Sequence, residues 1–173
     1  PAPPYTQWSF YGPVSGTPES AAPKLGKVSS HVTMEVNVPE GVSGVLYALA
    51  GFSGGLACYM DEGQLCYEFN LFEIERTKIR SKKLVAAGNH RVEVVSKLVE
   101  KIGGPIDVAL LVDGKEVAKG RVPRGMSLHF TSNATFDIGR DQDSPVSLDY
   151  YDQAPFAFEG EIQTTEIRYL DKK

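Results

Sequence analysis

From His31 the chain alternates with period two: Val32, Met34, Val36 and Val38 are apolar, and Thr33, Glu35 and Asn37 between them are polar. Successive side chains of an extended chain point to opposite faces, so this pattern supplies one face for a core and one for water, which a helix of period 3.6 does not present. Pro39-Glu40-Gly41 ends the segment. The style then recurs. Residues 45–50 are a continuous apolar run, 56–60 and 64–69 flank Asp61-Glu62-Gly63, and 74–80 and 90–99 alternate or nearly so. Residues 106–112 and 115–122 flank Asp113-Gly114, a dipeptide favoured in two-residue hairpins, and 136–139 and 161–170 supply the last strands. A helical look is confined to 84–87 and 92–102, and the β-branched content of the latter favours strand. About a dozen short strands predict an all-β fold, a jelly-roll, concanavalin-like sandwich of two antiparallel sheets.

With 173 residues the chain fits one domain with a real core. Residues 1–27, rich in Pro, Gly, Ser and Ala, read as a linker with one early strand, and 28–173 as the sandwich. A net charge of −4 with interspersed signs argues against nucleic acid as partner and supplies no polybasic patch for a membrane surface. No apolar run approaches the roughly 20 residues that a spanning helix needs. Because the first residue is Pro1 and no charged-then-apolar leader precedes the fold, the expectation is a processed product or, in preference, a fragment of a longer protein.

Four motifs in order carry a family resemblance: Gly54-Gly55-Leu56-Ala57-Cys58-Tyr59; Tyr67-Glu68-Phe69-Asn70 with Glu75-Arg76-Thr77; Leu111-Val112-Asp113-Gly114-Lys115; and Asp137-Ile138-Gly139-Arg140-Asp141 with Ser144-Pro145-Val146 and Asp149-Tyr150. From about His31 to its end the chain resembles the C-terminal domain of long bacterial arylsulfatases, a concanavalin-like or laminin-G-like sandwich behind the catalytic domain. The resemblance implies an accessory domain of a sulfuric ester hydrolase, in the bacterial cytoplasm or periplasm, that packs on the catalytic domain of the same polypeptide and shapes substrate access. It departs from the family pattern at Asp143 and at Ile102-Gly103-Gly104-Pro105.

No catalytic centre is expected in the chain alone. The Cys/Ser-x-Pro-x-Arg segment that such sulfatases convert to formylglycine is absent, since Cys58 precedes Tyr59-Met60-Asp61 and Cys66 precedes Tyr67-Glu68-Phe69. His31, His90 and His129 lack a Gly-x-Ser-x-Gly nucleophile to serve. A glucanase-type site would need two facing carboxylates, with Glu35, Glu68, Glu73 and Glu75 as nominal candidates. A three-residue loop Asp61-Glu62-Gly63 would set Cys58 opposite Cys66, within disulfide range; the competing reading is two buried, reduced thiols.

The remaining chemistry concentrates in the acidic stretch 136–152. Arg140, Asp141, Asp143, Asp149, Tyr150 and Tyr151 are the candidate binding residues there, and Asp141, Asp143 and Asp149, with Asp152 in reach, are candidate ligands for Ca²⁺. The alternative is a turn scaffold in which Asp137 and Asp141 accept from turn amides, Ser144-Pro145 fixes a bend and Asp149 pairs with Arg140. Phe136, Phe156 and Phe158 read as core, and at most one of Tyr150 and Tyr151 is expected to be exposed. Asn133-Ala134-Thr135 matches a glycosylation sequon, expected to be unused in a bacterial protein. The second functional reading is a carbohydrate-binding module, Ca²⁺-dependent or not, that carries a hydrolase to a glycan.

Overall fold

A computed structural model describes residues 5–127, 130, 135–142 and 144–170. Among these residues, twelve strands form two six-stranded antiparallel sheets, the architecture the alternation predicts. The strands are β1 (Gln7–Tyr11), β2 (Val14–Pro18), β3 (Ser30–Val38), β4 (Gly44–Gly51), β5 (Gly54–Asp61), β6 (Gln64–Leu71), β7 (Glu75–Arg80), β8 (Gly88–Leu98), β9 (Ile106–Val112), β10 (Lys115–Val122), β11 (Thr135–Ile138) and β12 (Glu161–Tyr169). One sheet runs β1-β12-β3-β8-β9-β10 and the other β2-β11-β4-β5-β6-β7.

Val32, Met34, Val36 and Val38 on β3 and Leu56, Cys58 and Met60 on β5 meet in the core between the sheets, each at most 2% exposed. Where the sequence predicts a linker with one early strand, the N-terminal stretch instead supplies an edge strand to each sheet, and the Trp8 ring meets Tyr169 at a tilt, 5.0 Å between centroids. Residues 84–87 form no helix.

The β9–β10 hairpin turns at Asp113-Gly114 with φ of 52° and 81°, the positive values that a two-residue hairpin requires. The β5–β6 hairpin corrects an expectation. Its loop is also two residues, Glu62 and Gly63 at φ 48° and 86°, with Asp61 opposite Gln64. Cys58 therefore faces Tyr67, and Tyr59 faces Cys66. A one-residue change of register turns a side chain to the other face, so Cys58 lies in the main core and Cys66 on the far side of the sheet, both as free thiols. Glutamate is a poor marker for a position at positive φ, which is why the sequence suggests a longer loop.

His90 pins the start of β8. One ring nitrogen lies 2.6 Å from the Ala86 carbonyl oxygen and the other 2.6 Å from Asp113 Oδ2. A carbonyl only accepts, so both nitrogens are best satisfied when each carries a proton. Partial burial lowers the His90 pKa, but the Asp113 carboxylate and the Ala86 carbonyl outweigh it, and the net shift is upward from 6.5. Glu35 and Arg91 line the same cleft. A raised folded-state pKa gives stability that is fully present below about pH 6.5 and is lost as pH rises through the folded value. Denaturation midpoints measured from pH 5 to 9 should therefore fall across the upper part of that window in the parent chain, and His90→Gln should flatten the fall. An unchanged profile in the variant would contradict the assignment.

Candidate functional site

The central strands of the second sheet, β4 to β6, are buried on both faces. The inner face of the sheet meets the core, while the outer faces of β4 to β6 lie beneath the connector between β11 and β12. Small residues make room for this strap: Ala48 and Ala57 floor a second apolar cluster with Val45, Tyr59, Cys66, Val146 and Tyr150. Tyr150 meets Tyr59 edge-on at 5.2 Å and stacks with Phe156 at 5.0 Å. Such pairs contribute about 0.5–1.5 kcal/mol beyond area burial.

The strap is hydrogen-bonded as well as packed. A bulge in β4 between Val45 and Tyr47 turns Val45 N–H toward Phe156 O at 2.8 Å and Leu46 O toward Gly139 N–H at 2.8 Å. Gly44 has φ of 117°, and a Cβ there would stand 2.4 Å from Ala157 O, so only glycine lets the strap lie this close.

At the β7 edge the apolar cover gives way to charge. With β7 at the sheet edge and period two along it, Arg76, Lys78 and Arg80 stand on the outer face, paired across to Asn70, Glu68 and Cys66 of β6. Glu68 is buried, yet its carboxylate accepts from Arg76 Nη1 at 2.9 Å and Ser147 Oγ at 2.7 Å, with Lys78 Nζ at 3.8 Å. Asp149 accepts from Tyr59 OH at 2.6 Å, from Lys78 Nζ at 2.7 Å and from Arg80. Arg80 also reaches Asp61 at 3.2 Å, and Arg76 donates to Val146 O at 2.7 Å.

Burial raises the Asp149 pKa, but the Lys78 and Tyr59 hydrogen bonds and the nearby cations outweigh it, holding the carboxyl below its ordinary value. Burial pushes Tyr59 up, reinforced by Asp149, and pushes the Cys66 thiol up to about 12, far from a nucleophilic thiolate.

The cluster is half-open. The side chains of Arg76, Lys78, Arg80 and Asp149 are 20%, 35%, 31% and 22% exposed. Beside them Tyr151 is 51% exposed, its ring 5.2 Å from Phe52, and the Arg76 guanidinium lies 5.4 Å over the other ring.

The sequence-predicted residues divide. Asp149 belongs to the cluster, and Tyr151 adjoins it through Phe52, over whose ring the Arg76 guanidinium lies. Asp141 is buried and accepts from Val146 N–H at 2.8 Å and Tyr150 OH at 2.6 Å, bracing the strap. Tyr150 is buried and Tyr151 is not, because they sit on Leu148–Gln153, two short 3-10 turns joined by a kink at Tyr150 that packs its ring on the sheet. Asp149 pairs with Lys78 and Arg80 rather than with Arg140, whose Nη1 donates to Gln142 at 3.3 Å. Asp137 accepts from Gly16 and Gln142 amides, the turn role expected of it. Phe136 is buried in the core, while Phe158 packs on the core and Phe156 on the second cluster, each partly exposed. Asp143, His129, Asn133 and Ala134 lie outside the described residues. Among the described residues no three His, Cys, Asp or Glu side chains gather as a metal site.

Most of the nominal catalytic candidates are otherwise engaged. Glu35 pairs with Arg91 on the first sheet, Glu75 reaches Arg124, and His31 lies between Glu93 and Arg168. Sequence reasoning passed over Arg76, Lys78 and Arg80, although three cations at i, i+2 and i+4 of one strand were a visible signal.

No protein-family model matches the chain, and no curated protein sequence matches it. Solved structures share the fold. The CBM40 domain of the Ruminococcus gnavus IT-sialidase, bound to α2,3-sialyllactose, superposes with a TM-score of 0.65 at 11% identity over 95% of this chain and 94% of that one. The leech intramolecular trans-sialidase gives 0.61 at 9% identity, over 97% of this chain and 26% of the enzyme. Domains LG4-5 of the mouse laminin α1 chain give 0.58 at 14% identity, over 95% of this chain and 42% of theirs. At these identities the likeness establishes the jelly-roll sandwich.

Asp149→Ala should lower stability by about 1–3 kcal/mol through loss of charge-assisted hydrogen bonds, equally in calcium and in EGTA. Because the folded pKa of Asp149 is depressed, its contribution holds above about pH 4 and disappears as pH falls through the folded value, so parent and variant should converge in acid. A parent midpoint that drops with EGTA and recovers with calcium would instead assign the aspartates to a metal.

Proposed function

We propose that the domain is a non-catalytic carbohydrate-binding module that takes anionic glycans on the outer face of its second sheet. The observation that supports this reading is the half-open row Arg76, Lys78 and Arg80 on β7, beside the exposed Tyr151 ring. A sugar acid needs cations for its carboxylate, acceptors and donors for its hydroxyls and a flat apolar surface for its ring, and the cluster offers all three. Asp149 occupies Lys78 and Arg80 in the free protein, so a ligand carboxylate would bind by taking over part of that pairing. The likeness to a sialyllactose-bound CBM40 domain agrees with the reading.

The accessory role on an arylsulfatase catalytic domain rests on the sequence resemblance alone, and none of the three structures compared above is named as a sulfatase. The two roles are compatible if a hydrolase shares the polypeptide. Calcium at Asp141, Asp143 and Asp149 rests on spacing.

Calorimetric titration with 3′-sialyllactose and with lactose tests the proposal. The charged sugar should bind and lactose should bind at least about tenfold more weakly, with affinity falling as salt rises. Arg80→Ala and Lys78→Ala should each reduce binding by about tenfold, and Tyr151→Ala should weaken both sugars. Absence of binding across a panel of acidic glycans, or binding untouched by these substitutions, would overturn it.

A further inference from the structure

A cleft of about 810 Å³ opens at the end of the sandwich where β3 begins and β8 and β12 finish. It shares no residue with the charged row of β7. Leu98, Val99, Ile102 and Leu170 line its apolar side, and Lys97 and Lys101 stand at its rim. Val99 and Ile102 are 41% and 47% exposed, so branched apolar side chains are left in water at the cleft wall.

The rim cations are not spoken for. Lys97 lies opposite Asp107 on β9, whose carboxylate is bidentate to Arg121 at 2.6 and 3.0 Å, and Lys97 forms no ion pair of its own among the described residues. Lys101 has no ion-pair partner among the described residues, and Lys27, at the same cleft, is held by Glu19 at 3.6 Å. Among the described residues Glu100 is the one carboxylate lining the cleft. The volume is within the range of small-molecule sites, roughly 300–1,000 Å³.

We propose that this cleft binds a monomeric amphipathic anion of the fatty-acid class, with its alkyl chain against Val99 and Ile102 and its carboxylate between Lys97 and Lys101. Charge complementarity selects an anionic head over a neutral one, and the apolar wall selects a chain over a sugar. The concave shape, with Glu100 among the lining residues, favours a single molecule over a flat anionic bilayer.

Titration of the whole chain with decanoate and with decanol, followed by calorimetry, tests the assignment. Decanoate should bind about tenfold more tightly than decanol. Lys97→Glu combined with Lys101→Glu should abolish that preference, and Ile102→Asp should abolish binding of both. These positions are exposed, so unchanged melting temperatures should confirm that the variants fold. Sialyllactose binding at the second sheet should be unaffected, which separates this site from the one above. Equal binding of the two amphiphiles, no binding, or indifference to charge reversal would overturn the proposal. Co-sedimentation with anionic phospholipid vesicles in the absence of decanoate binding would overturn it too and assign the cleft to a bilayer.

Discussion

The Glu68 carboxylate is held out of water one strand in from a sheet edge, and much of the domain's outer architecture answers to it. An isolated buried carboxylate costs several kcal/mol, so the charge has to be met by donors and cations. Ser147 comes from the strap, and Arg76 and Lys78 from the edge strand. The same arrangement brings Asp149 over Lys78 and Arg80 and fixes Tyr59 between the two carboxylates, its hydroxyl 3.3 Å from Glu68 and 2.6 Å from Asp149. Fold and candidate site are thus one network: the groups that neutralise a buried charge are those that stand half-open to a ligand.

The strap makes this possible by sealing the rest of the face. Its apolar residues cover Ala48 and Ala57, its amides and carbonyls take up the groups released by the β4 bulge, and Gly44 lets its backbone approach. Water is excluded on one side of the polar cluster and admitted on the other. Charge-assisted hydrogen bonds are stronger in such a setting than on an open surface, and salt screens them less.

Local pattern carried much of the fold. The Val32–Val38 alternation specified the β3 core face, and Asp113-Gly114 specified a hairpin, because each signal lies within a few consecutive residues. The Glu62-Gly63 turn was less legible, since its first residue adopts positive φ without the usual marker, and the error displaced Cys66 to the wrong face. The site was harder still. Arg76, Lys78 and Arg80 are close in sequence, but the partners that hold them at Val146 and Asp149 arrive from about seventy residues away. The burial of Asp141 and the exposure of Tyr151 likewise depend on how the two 3-10 turns sit on the sheet, which composition does not encode.

The central claim is that the outer face of the second sheet, at its β7 edge, is the ligand face. A residue-resolved map of amide shifts in the isotopically labelled chain during titration with 3′-sialyllactose tests it most directly. The account predicts the largest shifts at Arg76, Lys78, Arg80, Asp149 and Tyr151, with the first sheet unmoved. Shifts centred on the first sheet, with the β7 row silent, would contradict it.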